Sequence, residues 1–283
     1  MRRFLILMGV CFCVLIGNAQ VKNVNGEKVV RKVDIYMVNK SKPYISVDFN
    51  YNKSLQLEEI ICVAPASGKI IWKKHGDKLT RIEYNEEGKL RTDLKYQYEL
   101  TNGLVTKCVV DNIGIEGNVL RYYYVYQYSD NRIITTNKRV YFREEYDNFE
   151  ELSDRYREVF EWNANNNVFT TQERGLRKGQ TFNYPILYKN RTYYIELNND
   201  TNMDLSLLYH NICKFNKLED ATEWFGKHSH NLTERDNGRY FDYIFANEFA
   251  ENNSEEDLGN IIEIDVYNQY NELENICKIY YWE

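Results

Sequence analysis

The stretch Leu90-Arg91-Thr92-Asp93-Leu94-Lys95-Tyr96-Gln97-Tyr98-Glu99-Leu100 decides the fold class. In an extended chain Leu90, Thr92, Leu94, Tyr96, Tyr98 and Leu100 share one side, and Arg91, Asp93, Lys95, Gln97 and Glu99 share the other. Wound into a helix, those polar residues would scatter over the whole surface, so the stretch reads as a half-buried strand. Outward from it, Ile45, Val47, Phe49 and Tyr51 alternate with Ser46, Asp48 and Asn50 in the same way. Further strands are expected at 79–84, 104–110, 119–128, 133–142, 155–162, 168–174, 192–197, 240–249, 261–267 and 276–282.

Between these segments lie Asn85-Glu86-Glu87-Gly88, Thr101-Asn102-Gly103, Ser129-Asp130-Asn131, the run 163–167, Lys189-Asn190-Arg191 and Asp257-Leu258-Gly259-Asn260. Asn and Gly tolerate the positive φ of tight hairpins. Parallel pairing would need long crossovers, so short polar turns favour antiparallel hairpins stacked in chain order. Only 3 prolines occur in 283 residues, as expected where Pro would delete ladder donors. Helix is expected in one or two short pieces. Phe149, Leu152 and Tyr156 have helical spacing in 147–156, and Leu218, Ala221, Thr222 and Phe225 have it in 217–225, where Gly226 supplies a C-terminal cap. The fold class expected is mostly β, an antiparallel meander of hairpins curving toward a barrel.

Composition excludes some functions. With 25 Tyr, 13 Phe and 4 Trp the chain has the apolar area to fold. With 42 acidic against 36 basic residues, a net charge of −6, it lacks the basic face of a nucleic-acid binder. Arg2 and Arg3 precede thirteen apolar residues from Phe4 to Ile16, and Gly17-Asn18-Ala19 follows. That is the pattern of a secretory signal peptide over residues 1–19, too short for a transmembrane helix, with 20–283 as a single β domain. A lipoprotein leader is disfavoured because Val10 and Phe12, before Cys11 and Cys13, are bulky. Export to the periplasm, cell surface or exterior is therefore expected. Cys62, Cys108, Cys213 and Cys277 remain after the leader, and two disulfides or buried free thiols are both open. The charged row of the opening strand also argues against a membrane barrel, whose outer face must be apolar.

Tyr84-Asn85-Glu86-Glu87-Gly88-Lys89-Leu90 resembles the repeat unit of tyrosine/aspartate-rich secreted bacterial β-shells, with looser echoes at Tyr128-Ser129-Asp130-Asn131-Arg132-Ile133 and Tyr267-Asn268-Gln269-Tyr270-Asn271-Glu272-Leu273. The C-terminal third is more particular. Thr201-Asn202-Met203-Asp204-Leu205, Trp224-Phe225-Gly226-Lys227-His228-Ser229-His230-Asn231-Leu232, Asp257-Leu258-Gly259-Asn260-Ile261 and Ile279-Tyr280-Tyr281-Trp282 resemble exported Bacteroidetes proteins of unknown function with a porin-like β-fold. The resemblance implies a short helical turn ending in Gly and a closing hairpin. It implies no reaction, cofactor or catalytic residue.

Candidate sites follow from side-chain chemistry. Tyr122, Tyr124 and Tyr126 form a ladder on one face of a strand, suited to stacking on a sugar or partner, and equally to cross-strand support of the sheet. Trp224 joins them as a candidate ligand contact. His210, His228 and His230 are candidate metal ligands beside Asp204 or Glu223, although His228 and His230 also suit a surface loop at a helix end. The acid pairs Glu58-Glu59, Glu86-Glu87, Glu144-Glu145 and Glu255-Glu256-Asp257 sit where neighbours diverge or turns are solvated, so a two-carboxylate hydrolase site is disfavoured. No cofactor is expected. The leading expectation is a non-catalytic module binding a glycan, apolar ligand or protein partner. An envelope assembly component comes second and a hydrolase last.

Overall fold

The computed structural model describes residues 26–144, 147–177, 184–213, 218–236, 238–246 and 260–282, so the leader reading of residues 1–19 lies outside the described residues. Sixteen strands occur among the described residues. They are β1 (Val30–Met37), β2 (Ile45–Tyr51), β3 (Leu57–Ala64), β4 (Gly68–His75), β5 (Lys78–Tyr84), β6 (Leu94–Thr101), β7 (Leu104–Ile113) and β8 (Val119–Ser129). Then follow β9 (Arg132–Arg143), β10 (Glu150–Trp162), β11 (Val168–Arg177), β12 (Tyr184–Asn198), β13 (Asn231–Asp236), β14 (Arg239–Phe245), β15 (Ile261–Tyr267) and β16 (Leu273–Tyr281). One helix, α1 (Leu205–Cys213), and two 3-10 turns, Leu218–Ala221 and Glu223–Phe225, lie between β12 and β13.

All sixteen strands form one sheet in the order β5-β4-β3-β2-β1-β16-β15-β14-β13-β12-β11-β10-β9-β8-β7-β6. Neighbours are antiparallel, as short turns require. The two edge strands, β5 and β6, are consecutive in sequence. They meet at a single bridge, Tyr84 opposite Leu90, beside a hydrogen bond from Arg91 N–H to the Glu83 carbonyl at 2.8 Å. The sheet thus curls until its edges face each other, without a continuous ladder between them. Leu90 to Asp93, expected as strand, supplies this closing turn, and β6 begins at Leu94.

Four turns share one device. Asn52, Asn85, Asn163 and Asn268 each accept two backbone N–H bonds on their side-chain oxygen. Three residues later Leu55, Gly88, Asn166 and Asn271 take φ of 58°, 75°, 63° and 67°. The Asn side chain stands in for a backbone turn, and the left-handed residue reverses the chain.

The polar row of β6 (Lys95, Gln97, Glu99) is exposed, and the row of Leu94, Tyr96, Tyr98 and Leu100 faces the interior. The charged row of this strand therefore faces outward and does not line the interior. Inside, Val33, Ile35, Val47, Phe49, Ile60, Trp72, Phe241, Ile264 and Val266 pack around the segment that joins β12 to β13. That segment fills the barrel as a plug, contributing Leu205, Leu208, Tyr209, Ile212, Trp224 and Phe225 to the same core.

Two helix expectations are corrected. Residues 147–156 are not helical: β10 begins at Glu150, and a register shift between Glu151 and Arg155 interrupts its pairing with β9. That irregularity breaks the period of two and mimics helical spacing. Residues 217–225 do not form one helix either. Thr222 is extended between the two 3-10 turns, its side chain accepting the Trp224 N–H, which is a cap rather than a helix interior. The Gly226 cap is present, at φ 97° with its N–H on the Glu223 carbonyl. The helix that forms, α1, starts after Asp204, whose Oδ1 accepts the Leu207 N–H at 2.9 Å. Cys62, Cys108, Cys213 and Cys277 form no disulfide, and burial pushes the Cys62 thiol up to about 12.

Candidate functional site in the barrel lumen

Beside the plug lie two interior cavities that share Tyr126 as a wall. The first, about 280 Å³, follows from the strand register. Tyr96 and Tyr98 of β6 stand opposite Val110 and Cys108 of β7, which in turn stand opposite Tyr122 and Tyr124 of β8. Small residues on the middle strand between rows of tyrosines leave a concavity walled by phenol rings. Tyr96 and Tyr98 stack at 6.4 Å and 11°, and Tyr124 and Tyr126 at 6.4 Å and 16°. Phe225 of the plug meets Tyr126 edge-on at 5.0 Å. Lys138 of β9, opposite Tyr124, completes the wall with Nζ 4.9 Å from the Tyr122 ring centre.

The charged groups of this chamber are built into the fold. On β5, Arg81 and Glu83 continue the inward row of Leu79. The Arg81 guanidinium lies 4.2 Å from the Tyr96 ring and 4.9 Å from the Trp72 ring, bonds Glu83 at 2.6 Å and approaches Glu219 at 3.7 Å. Burial works against its charge, but Glu219, the neighbouring phenols and Glu83 outweigh that and raise its pKa. Burial, reinforced by Glu219, likewise raises the Tyr98 phenol. It stays protonated and donates to Glu219 Oε1 at 2.7 Å. Glu219 Oε2 is buried without a hydrogen-bond partner.

The second cavity, about 260 Å³, lies on the other side of Tyr126 toward the β8–β9 and β10–β11 turns. Arg191 of β12 bonds Asp236 of β13 at 2.9 Å and Asp204, the cap of α1, at 3.2 Å. His210 Nε2 lies 3.3 Å from Asp236. His228 also lines this cavity; its Nε2 is 3.1 Å from the Asn202 carbonyl, and burial lowers its pKa. Ser229 contacts the Tyr193 hydroxyl at 2.9 Å and accepts the Val168 N–H at 3.2 Å, and neither contact is a base that would activate it.

Of the residues singled out from sequence, Tyr122, Tyr124 and Tyr126 come together on the first chamber. Trp224 does not join them. It is fully buried against β3, donating to the Leu57 carbonyl at 3.2 Å, and serves the core. His210 and His228 share the second cavity, whereas His230 is exposed, and no group of three or more potential metal ligands occurs among the described residues. Among the acid pairs, Glu59 is engaged by Lys73 and Asn50, Glu86 and Glu87 are exposed, and Glu255 to Asp257 fall outside the described residues. Sequence reasoning missed Arg81, Lys138 and Glu219. Arg81 and Glu83 carried a usable signal, since they continue the row of Leu79, but Lys138 and Glu219 are placed by strand pairing and the plug.

No family model matches the chain, and no curated protein does. Solved structures do match in fold. A porin-like protein from Bacteroides vulgatus aligns over 90% of this chain and 99% of its own, with a TM-score of 0.51 at 12% identity. A porin-like protein from Bacteroides uniformis aligns over 89% of this chain and 98% of its own, with a TM-score of 0.51 at 10% identity. No helix among the described residues is long and apolar enough to cross a membrane. The chain thus has the porin-like β-fold of these Bacteroides proteins.

Proposed function

We propose that this is an exported, non-catalytic binding protein that takes a small ligand into the tyrosine-walled chamber between β5–β9 and the plug. The observation that carries the reading is the convergence of Tyr96, Tyr98, Tyr122, Tyr124 and Tyr126 with Arg81, Lys138 and Glu219 on one concave cavity. An apolar wall with a few placed polar groups is the usual composition of a ligand site. An assembly surface would instead need a contiguous exposed apolar patch. The large apolar residues that are exposed, among them Met37, Val63, Ile115, Leu152, Ile195, Ile262 and Tyr270, lie on different strands or turns. Export rests on the charged start and apolar run of residues 1–19.

Ligand-observed NMR with a fragment set containing both polar and apolar rings tests the proposal. Hits are expected that lose at least tenfold in affinity in Tyr124→Ala and keep their affinity in Tyr270→Ala, a substitution on an exposed turn. A protein that binds none of the fragments, or whose hits are indifferent to Tyr124→Ala, would overturn it.

A further inference from the structure

We infer that the occupant of the tyrosine chamber is a neutral sugar ring, with Glu219 as the acceptor for one of its hydroxyls. This rests on the binding function proposed above and names its ligand class. The Glu219 side chain is only 4% exposed, and it lines the chamber from the plug. Its Oε1 is engaged by Tyr98 and Arg81, while its Oε2 is buried with no hydrogen-bond partner. A buried carboxylate oxygen without a donor is costly, and a ligand hydroxyl entering the chamber supplies that donor.

The other walls restrict what can bring that hydroxyl. Lys138 presents an ammonium over the Tyr122 and Tyr124 rings, at 4.9 Å and 5.9 Å. A cationic ligand would enter against Lys138 and Arg81, and an anionic one against Glu219. A purely apolar ligand would leave the buried Glu219 Oε2 without a donor. A neutral polyol both donates to Glu219 and accepts from Lys138, and the C–H face of a sugar ring suits the flat phenols. The volume of about 280 Å³ lies at the lower edge of the roughly 300–1,000 Å³ of ligand sites, so the chamber holds one ring.

Isothermal titration with glucose, galactose and N-acetylglucosamine, and with 1-octanol as an apolar probe, tests the inference on the full exported chain. At least one sugar is expected to bind while octanol does not. The singly deoxygenated forms of that sugar are then titrated against the unaltered protein, and one position is expected to weaken binding at least tenfold. Glu219→Gln is expected to give the same loss and to abolish discrimination at that position. The deoxy series needs no variant, so it decides the matter even if Glu219→Gln fails to fold. Binding of octanol but of no sugar would overturn the sugar assignment and leave the binding function standing. Binding of neither, together with an empty fragment screen, would overturn both. Sugar binding indifferent to every deoxy position would overturn the role given to Glu219.

Discussion

The buried ion cluster that ties the plug to the wall makes the sharpest stability prediction. Arg191, 13% exposed, holds Asp236 at 2.9 Å and Asp204 at 3.2 Å, so one guanidinium joins β12, β13 and the start of α1. Burial opposes its charge, but the two carboxylates raise its pKa and keep it ionised. Arg191→Met keeps most of the aliphatic volume and removes two charge-assisted hydrogen bonds, each contributing about 1.5–3 kcal/mol. Among the contacts that remain, Asp204 keeps the Leu207 N–H and the Ser206 hydroxyl, and Asp236 keeps the His210 contact at 3.3 Å. Removing one partner of a buried pair costs about 3–5 kcal/mol, and that is the loss expected for Arg191→Met. The double variant Arg191→Met/Asp236→Asn should recover about 1–2 kcal/mol, because it removes the buried charge that faced the guanidinium at 2.9 Å. Urea unfolding followed by the emission of buried Trp72 and Trp224 measures both. A loss below about 1 kcal/mol for Arg191→Met, or a double variant no better than the single, would refute the cluster as the anchor of the plug.

Gly226→Ala places a Cβ against the Asn131 carbonyl at a residue with φ 97°, so a loss of roughly 1–3 kcal/mol is expected, read as a lowered Tm. Leu55→Gly relieves a left-handed leucine at φ 58° and should raise stability by about 1 kcal/mol in the same assay. Asp265 stands opposite Asp242 on the outer face, and its pKa is raised by burial and then by Glu263 and Asp242. Its ionisation therefore costs stability as pH rises through the folded-state value. Asp265→Asn should gain about 0.2–1 kcal/mol at pH 7, an advantage that disappears below roughly pH 3.9, where the unfolded chain is protonated too. The His228 pKa is lowered by burial, so wild-type stability should fall as pH drops below roughly 6.5, and His228→Gln should flatten that slope in a Tm-versus-pH series.

Much of the strand map is legible because a period of two is a local property. Glu263, Ile264, Asp265, Val266 and Tyr267 alternate, and β15 forms over Ile261–Tyr267. The Asn turns are legible for the same reason, since an Asn oxygen bonds N–H groups two and four residues on. Local reading fails where neighbours intervene. β10 hides behind a register shift against β9, and β1, β3, β4 and β13 carry interior residues whose burial depends on partners far along the chain. α1 was not read from the sequence: Asp204 stands before an apolar run, but Leu205, Ser206, Leu208, Tyr209, His210 and Ile212 are all buried, so no broad polar face marks the helix.

By itself the amino-acid order determined the antiparallel β class, the hairpin turns at 85–88, 101–103, 129–131 and 163–167, the Gly226 cap and the one-sided ladder of Tyr122, Tyr124 and Tyr126, whereas the expected turn at Lys189-Asn190-Arg191 is strand within β12. Period, turn chemistry and backbone freedom all act within a few residues. Only the tertiary structure decided that the edges β5 and β6 meet, that a plug fills the barrel, and that Arg81, Lys138 and Glu219 converge on the tyrosines. Those residues come from β5, β9 and the plug, up to 138 positions apart (219 − 81). Fifteen pairings join the sixteen strands, and their register decides which residues share a cavity. Strand registry carries that information, and it is a property of pairs of segments rather than of any one of them.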